Sequence, residues 1–138
     1  MDVGWRATPT EAGAMTVGFV LSGGGNLGAG QAGQLRALIE AGVRPDLVVG
    51  TSVGAINGAF LVGAPDADGC RALAAMWRTV RRSDVFPARP FVGFAGFTGR
   101  RSYLVPDSGL RALLKRNLRY RNLEDSPIPL HVVACELA

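Results

Sequence analysis

The sequence has little histidine, cysteine or lysine. His131 is the one histidine, Cys70 and Cys135 are the two cysteines, and Lys115 is the one lysine among 15 basic residues. The cysteines lack metal-ligand spacing, and any histidine general base would have to be His131. These scarcities argue against a zinc module and against a disulfide-stapled secreted domain. We expect both cysteines to be buried thiols in a reducing compartment.

Long apolar runs are absent as well. No run reaches the roughly 18 residues that a membrane-spanning helix needs. Residues 1–15 contain one arginine and no apolar core of the kind found in a secretory signal, so we expect a flexible leader there. The sequence therefore predicts a cytoplasmic protein, with peripheral attachment to a membrane as an alternative.

The composition is that of a globular domain, with 48% hydrophobic and 19% charged residues. The net charge of +4 comes almost entirely from arginine, and the arginines are spread over several segments. Solvated helix faces explain most of this charge. We expect no nucleic-acid partner and favour weak attraction to anionic lipid over it.

Strand and helix patterns alternate along the chain. They predict strands at 16–21, 46–50 and 130–137, and helices at 28–41, 53–62, from 66 or 68 to about 81, and from 107 or 108 to about 118. In the first helix, Ala32, Leu35, Leu38 and Ile39 share the apolar face, and Gly42 is placed to cap the end. The first strand is expected to be buried on both faces. Short turns between such elements imply a three-layer α/β/α fold with a mainly parallel sheet.

Regular periodicity stops between residues 84 and 105. Aromatic side chains there alternate with glycine and proline. One interpretation is a surface loop packed by its own aromatics, and the other is a flap over an apolar substrate. Under the second interpretation, the segment 86–103 would contact an acyl chain or a membrane surface.

The central motif is Gly50-Thr51-Ser52-Val53-Gly54, which lies between an apolar β-branched run and a helix pattern. In the G-x-S-x-G arrangement, serine stands at the tip of a sharp strand-to-helix turn, where flanking side chains would crowd the backbone. The N–H groups of the following helix point toward the same place. The pattern therefore predicts Ser52 as a nucleophile, with the N–H of Val53 as a candidate oxyanion donor.

A second glycine cluster, Gly23-Gly24-Gly25-Asn26-Leu27-Gly28, follows the first strand pattern. Consecutive backbone N–H groups in such a loop can form a concave anion site at a helix start. We expect Gly24, Gly25 and Asn26 to donate to an oxyanion, and Gly23 and Gly28 to shape the loop. Both motifs follow strands of one parallel sheet, so both should lie at its carboxyl edge.

Together these motifs resemble those of the patatin-like phospholipase family, over residues 16–138. The matching stretches include Leu21–Gly25, Gly50–Gly58 and Leu123–Pro127 followed by the third strand. The resemblance implies a serine-dependent lipid acyl hydrolase that acts on lipid or ester substrates through an acyl-enzyme at Ser52. It implies no cofactor and no metal for the chemistry itself.

The sequence departs from the family pattern at two places. Leu27 stands where the family usually has arginine or lysine, and no Asp-Gly-Gly or Asp-Gly-Ala occurs to supply the catalytic aspartate of the Ser–Asp dyad. Asp68, Asp107 and Asp125 have the pattern of cap and turn residues, and His131 lies within a strand pattern. We therefore expect residues 16–138 to be a partial domain, incomplete at the C-terminus and without its catalytic base.

Two other functions remain open. A dinucleotide-binding module also has G-x-G-x-x-G between a strand and a helix, but it needs an acid at the end of the second strand, where this chain has Val49 to Ser52. The other alternative is a non-catalytic truncated domain or interaction module, which the missing aspartate and the unpaired last strand favour.

Overall fold

The computed structural model describes residues 16–81 and 108–135. Three parallel strands form one sheet in the order β1-β2-β3, so β2 is the central strand. The strands are β1 (Gly18–Leu21), β2 (Leu47–Thr51) and β3 (Leu130–Val133). The register aligns Phe19, Val48 and Leu130 across the sheet. The predicted α/β fold with a parallel sheet is confirmed.

Four α-helices accompany the sheet in the described residues. They are α1 (Gly28–Glu40), α2 (Val53–Gly63), α3 (Ala67–Thr79) and α4 (Ser108–Asn117). Single 3-10 turns precede α1 at Gly25–Leu27 and β3 at Leu123–Asp125. No helix of this part of the chain is both long and apolar enough to cross a bilayer.

Local sequence explains where these helices begin and end. Asp66 caps α3, since its carboxylate accepts the Gly69 N–H at 2.7 Å. Gly42 ends α1 with a φ of +82°. Its N–H donates to the Ile39 carbonyl, and the Val43 N–H donates to the Leu38 carbonyl. This pair of bonds is a Schellman motif, which glycine favours because it needs a positive φ.

Helix α2 packs directly on the sheet through its small residues. A Cβ on Gly58 would lie 3.0 Å from Val48 Cγ1 and 3.2 Å from Leu130 Cδ1. Helices α1 and α3 pack against α2 and against each other. The core between these layers includes Phe19, Leu35 and Leu73. The layer of helices thus holds the carboxyl end of β2 and the start of α2 in a fixed position.

The opposite face of the sheet is open in the described residues, and the expectation that β1 is buried on both faces is wrong. Val20 is 80% exposed and Val133 58% exposed, and they lie with Val49 and His131 on one side of the pleat. The reason is topological. Right-handed crossovers that step the same way, from β1 to β2 to β3, place the helices of the described residues on one face of the sheet.

Three smaller predictions also need correction. Leu38, assigned to the buried face of α1, is 39% exposed, because the apolar stripe is narrower than the pattern indicated. Cys135, expected to be buried, is exposed just beyond β3, which ends at Val133. Arg81 lies beyond α3, which ends at Thr79. The leader 1–15, the Phe-rich segment 86–103 and Asp107 lie outside the described residues.

Candidate active site

Ser52 lies on the bend between β2 and α2. Its backbone has φ 52° and ψ −127°, and it is the one non-glycine residue with positive φ in the described chain. An L-residue adopts this conformation only where the surrounding structure enforces it, and such strain concentrates at functional sites. The structure therefore shows the strained strand-to-helix elbow that the G-x-S-x-G pattern predicts.

The hydroxyl of Ser52 is not used to cap α2. Ser52 occupies the N-cap position, where serine commonly accepts a hydrogen bond from the helix start, yet its side chain makes no such bond. The residue is exposed. Val53, the first residue of α2, has one of the N–H groups that lack a partner within the helix. The bend thus places the hydroxyl beside N–H groups that have no partner within α2.

The two glycines that flank Ser52 allow close backbone packing. A Cβ on Gly50 would lie 2.6 Å from the Cα of Ala55, inside the turn itself. A Cβ on Gly54 would lie 2.2 Å from the carbonyl oxygen of Leu21, at the end of β1. Backbone atoms cannot move aside as a flexible side chain can, so both positions require glycine.

The glycine loop meets Ser52 at Gly23. A Cβ placed on Gly23 would be 3.2 Å from Ser52 Cβ and 3.8 Å from Ser52 Oγ. Gly24 and Gly25 follow with φ of +153° and +57°, and lead through the exposed 3-10 turn that contains Asn26 into α1. The structure therefore brings the two sequence motifs together at the carboxyl edge of the sheet.

Gly28 closes the loop where three helices converge. A Cβ there would lie 2.4 Å from Val53 Cγ2 and 2.6 Å from Trp77 Cζ2. Leu27, just before it, is 72% exposed and packs along Gly24. An exposed leucine at this point makes the rim of the site apolar rather than cationic.

A buried amide, Asn57, connects these parts, and sequence reasoning assigned it no role. Its side-chain nitrogen donates to the Gly28 carbonyl at 2.9 Å and to Gln31 Oε1 at 2.8 Å, and its oxygen accepts from Trp77 Nε1 at 2.9 Å. Asn57 is 0% exposed. The available signal was a single amide inside the otherwise apolar pattern of residues 53–62.

No general base accompanies Ser52 among residues 16–81 and 108–135. His131 pairs with Val49, three residues before Ser52, which places it about 10 Å back along the sheet. Asp46 lies at the amino end of β2, where it accepts the Val17 N–H at 2.7 Å. Asp125 is bonded to Asn122, and Asp68 to Arg71 in the first turn of α3. Asp125 has the turn position that the sequence indicated, whereas Asp68 lies within α3, whose cap is Asp66.

The structure also bears on the dinucleotide-binding alternative. The second strand ends at Thr51 without an acid, so the ribose-binding carboxylate of a dinucleotide site is missing from this part of the chain.

Burial, together with the charges of Asp66 and Glu40, raises the pKa of the Cys70 thiol. A raised pKa keeps the thiol protonated, unlike a catalytic cysteine. No cluster of three potential metal ligands occurs in the described residues.

Comparison with known proteins places the chain in a family. The model of the patatin-like phospholipase family matches residues 19–134. A chain with this parallel sheet, this serine bend and this match belongs to the patatin-like phospholipases.

Curated relatives match over shorter segments. Lysophospholipase nte1 of Aspergillus terreus is 53% identical over 53 residues, which cover 38% of this chain and 3% of the relative. Patatin-like phospholipase domain-containing protein 7 of Mus musculus is 43% identical over 61 residues, 44% of this chain and 4% of the relative. Neuropathy target esterase sws of Drosophila melanogaster is 50% identical over 45 residues, 33% of this chain and 3% of the relative. No solved structure matches. The matched segments are thus a small part of these relatives' length.

Proposed function

We propose that this chain carries the nucleophile and the oxyanion site of a serine-dependent lipid acyl hydrolase. The observation that carries the proposal is the strained, uncapped Ser52, with Gly23 of the glycine loop packed against it. The names of the relatives, a lysophospholipase and an esterase among them, support an ester of a lipid as the substrate class. The apolar rim at Leu27 fits such a substrate.

In the proposed reaction, Ser52 Oγ attacks the ester carbonyl carbon, and a carbon–oxygen bond forms as the hydroxyl proton passes to a base. Backbone N–H groups of Gly24, Gly25, Asn26 and Val53 stabilise the negative charge on the former carbonyl oxygen. The tetrahedral intermediate then collapses, the bond to the leaving alcohol breaks, and that alcohol takes up the proton. Water attacks the acyl-enzyme, releases the fatty acid and restores Ser52.

The base is the component that the described residues do not supply. A carboxylate that approaches Ser52 from outside them would complete a Ser–Asp dyad of the family type. Without it, Ser52 must release its proton to solvent, so serine-dependent turnover is slow and confined to activated esters. Peripheral contact of the segment 86–103 with a lipid surface, in a cytoplasmic protein, belongs to the same proposal.

Hydrolysis of a p-nitrophenyl ester by the purified chain, measured beside Ser52→Ala, tests the proposal. We expect Ser52→Ala to lower the rate at least about tenfold, to the level that the oxyanion site and binding retain without a nucleophile, while leaving the unfolding transition unchanged. Ser126→Ala is the matched control, since its hydroxyl lies in the turn before β3, bonded to backbone carbonyls. Equal rates for the parent chain and Ser52→Ala would favour the non-catalytic alternative.

A further inference from the structure

The Asn57 side chain joins both ends of the glycine loop. At the loop's last residue, Asn57 donates directly to the Gly28 carbonyl. At its beginning the connection runs through Gln31, whose oxygen accepts from Asn57 and whose Nε2 donates to the Ser22 carbonyl at 3.4 Å. Asn57 itself lies in the first two turns of α2, the helix that begins after Ser52. One amide thus couples the loop to the helix of the serine.

The chemistry of the partners fixes the direction of this network. The indole N–H of Trp77 can only donate, so the atom of Asn57 that faces it must be the oxygen. The nitrogen of Asn57 then faces Gln31, which must present its own oxygen. The Gln31 nitrogen is therefore left to donate toward Ser22. Each amide has one orientation that satisfies all partners, which removes the usual ambiguity of amide flips.

Burying an amide is costly unless all its hydrogen bonds form, and an aliphatic side chain would fill a core position without that requirement. Asn57 is 0% exposed in a helix whose other buried residues are apolar side chains or glycine. Both of its N–H donors and its oxygen are used. Such a network specifies a relative position of elements, which packing alone leaves looser.

We propose that Asn57 is a positioning residue that holds the glycine loop 22–28 in place beside Ser52, with Gln31 as its extension to Ser22 and Trp77 as its anchor. The consequence for catalysis rests on the proposed function. Oxyanion donors act only when they are held at the developing charge, and a displacement of about 1 Å can cost about 100-fold in rate. Asn57 would therefore control kcat without touching the substrate.

Three variants test this role. Asn57→Leu removes all three hydrogen bonds and keeps the branching and the number of side-chain heavy atoms of asparagine, in a larger side chain. Gln31→Glu keeps the acceptor for Asn57 and removes the donor to Ser22 at a half-buried position, so it serves where Asn57→Leu fails to fold. Gln34→Glu makes the same chemical change at an exposed position of α1 and is the matched control.

The first readout is amide hydrogen exchange of the peptide that covers residues 22–28, measured on the full chain without substrate. We expect exchange there to become about tenfold faster in Asn57→Leu and in Gln31→Glu, with β2 unchanged. Gln34→Glu should match the parent chain. Unchanged exchange at residues 22–28, or an equal increase throughout the chain, would overturn the positioning role.

The second readout is ester hydrolysis. We expect kcat of Asn57→Leu to fall about tenfold, toward the Ser52→Ala level, while KM stays within about twofold, because the loop would bind charge in the transition state and not the ground state. A rise in KM alone would contradict the proposal. Should the parent chain and Ser52→Ala hydrolyse the ester equally, the proposed function fails, and hydrogen exchange still decides whether Asn57 holds the loop.

Discussion

At the scale of the residue, Ser52 and its glycine neighbours were predictable because they form one recognisable short pattern. The bend itself leaves no space for a Cβ at Gly50, whereas at Gly54 the backbone at the end of β1 excludes one. Asn57 was not predictable in the same way. Its partners come from α1 and α3, and nothing in the sequence indicates that Trp77 would meet it.

Substitution by alanine should have opposite effects on stability at Gly54 and at Gly33. Gly54→Ala should lower the free energy of unfolding by about 3 kcal/mol or more, since its Cβ would lie 2.2 Å from the Leu21 carbonyl oxygen. Gly33→Ala should raise it by about 0.5–1 kcal/mol, because Gly33 lies within α1 with no atom within 4 Å of the new Cβ. Urea unfolding of both variants measures the difference. Equal effects would show that the bend does not depend on close contact with β1.

At the scale of the element, helix ends followed from short-range chemistry. Asp66 was one of two candidate caps for α3, and the geometry selects it because its carboxylate reaches the Gly69 N–H, whereas Asp68 lies within the helix and pairs with Arg71. The burial of the strands did not follow from short-range chemistry. The apolar run of β1 indicates burial on both faces, but exposure depends on which helices cover each face, and that is set by sheet order.

The two faces of the sheet should respond differently to the same polar change. Val48→Thr should cost about 1–3 kcal/mol of unfolding free energy, because Val48 is 0% exposed and a hydroxyl there has no water to bond. Val20→Thr should change that free energy by less than about 0.5 kcal/mol, since Val20 is 80% exposed. Chemical denaturation of both variants provides the comparison. A large loss in Val20→Thr would mean that the open face is covered in solution.

At the scale of the whole molecule, one consequence of the topology matters most. Parallel strands bring every strand's carboxyl end to the same edge, so the loop after β1 and the bend after β2 meet although their motifs are about 25 residues apart in sequence. The alternation of strands and helices was enough to predict this meeting. The alternation did not predict that the helices of the described residues lie on one face of the sheet, because the order in which strands pair cannot be read from the sequence.

The family match and the fold together define the class of the protein, while the chemistry that we propose for it depends on Ser52. A fluorophosphonate that forms a covalent bond with activated serine hydroxyls tests that point directly, when the modified residue is mapped by peptide mass spectrometry. Our account predicts modification of Ser52 with at least about tenfold preference over Ser22, and loss of that preference in the unfolded chain, because only the folded bend activates the hydroxyl. Modification of Ser22 and Ser52 to equal extents in the folded chain would contradict it.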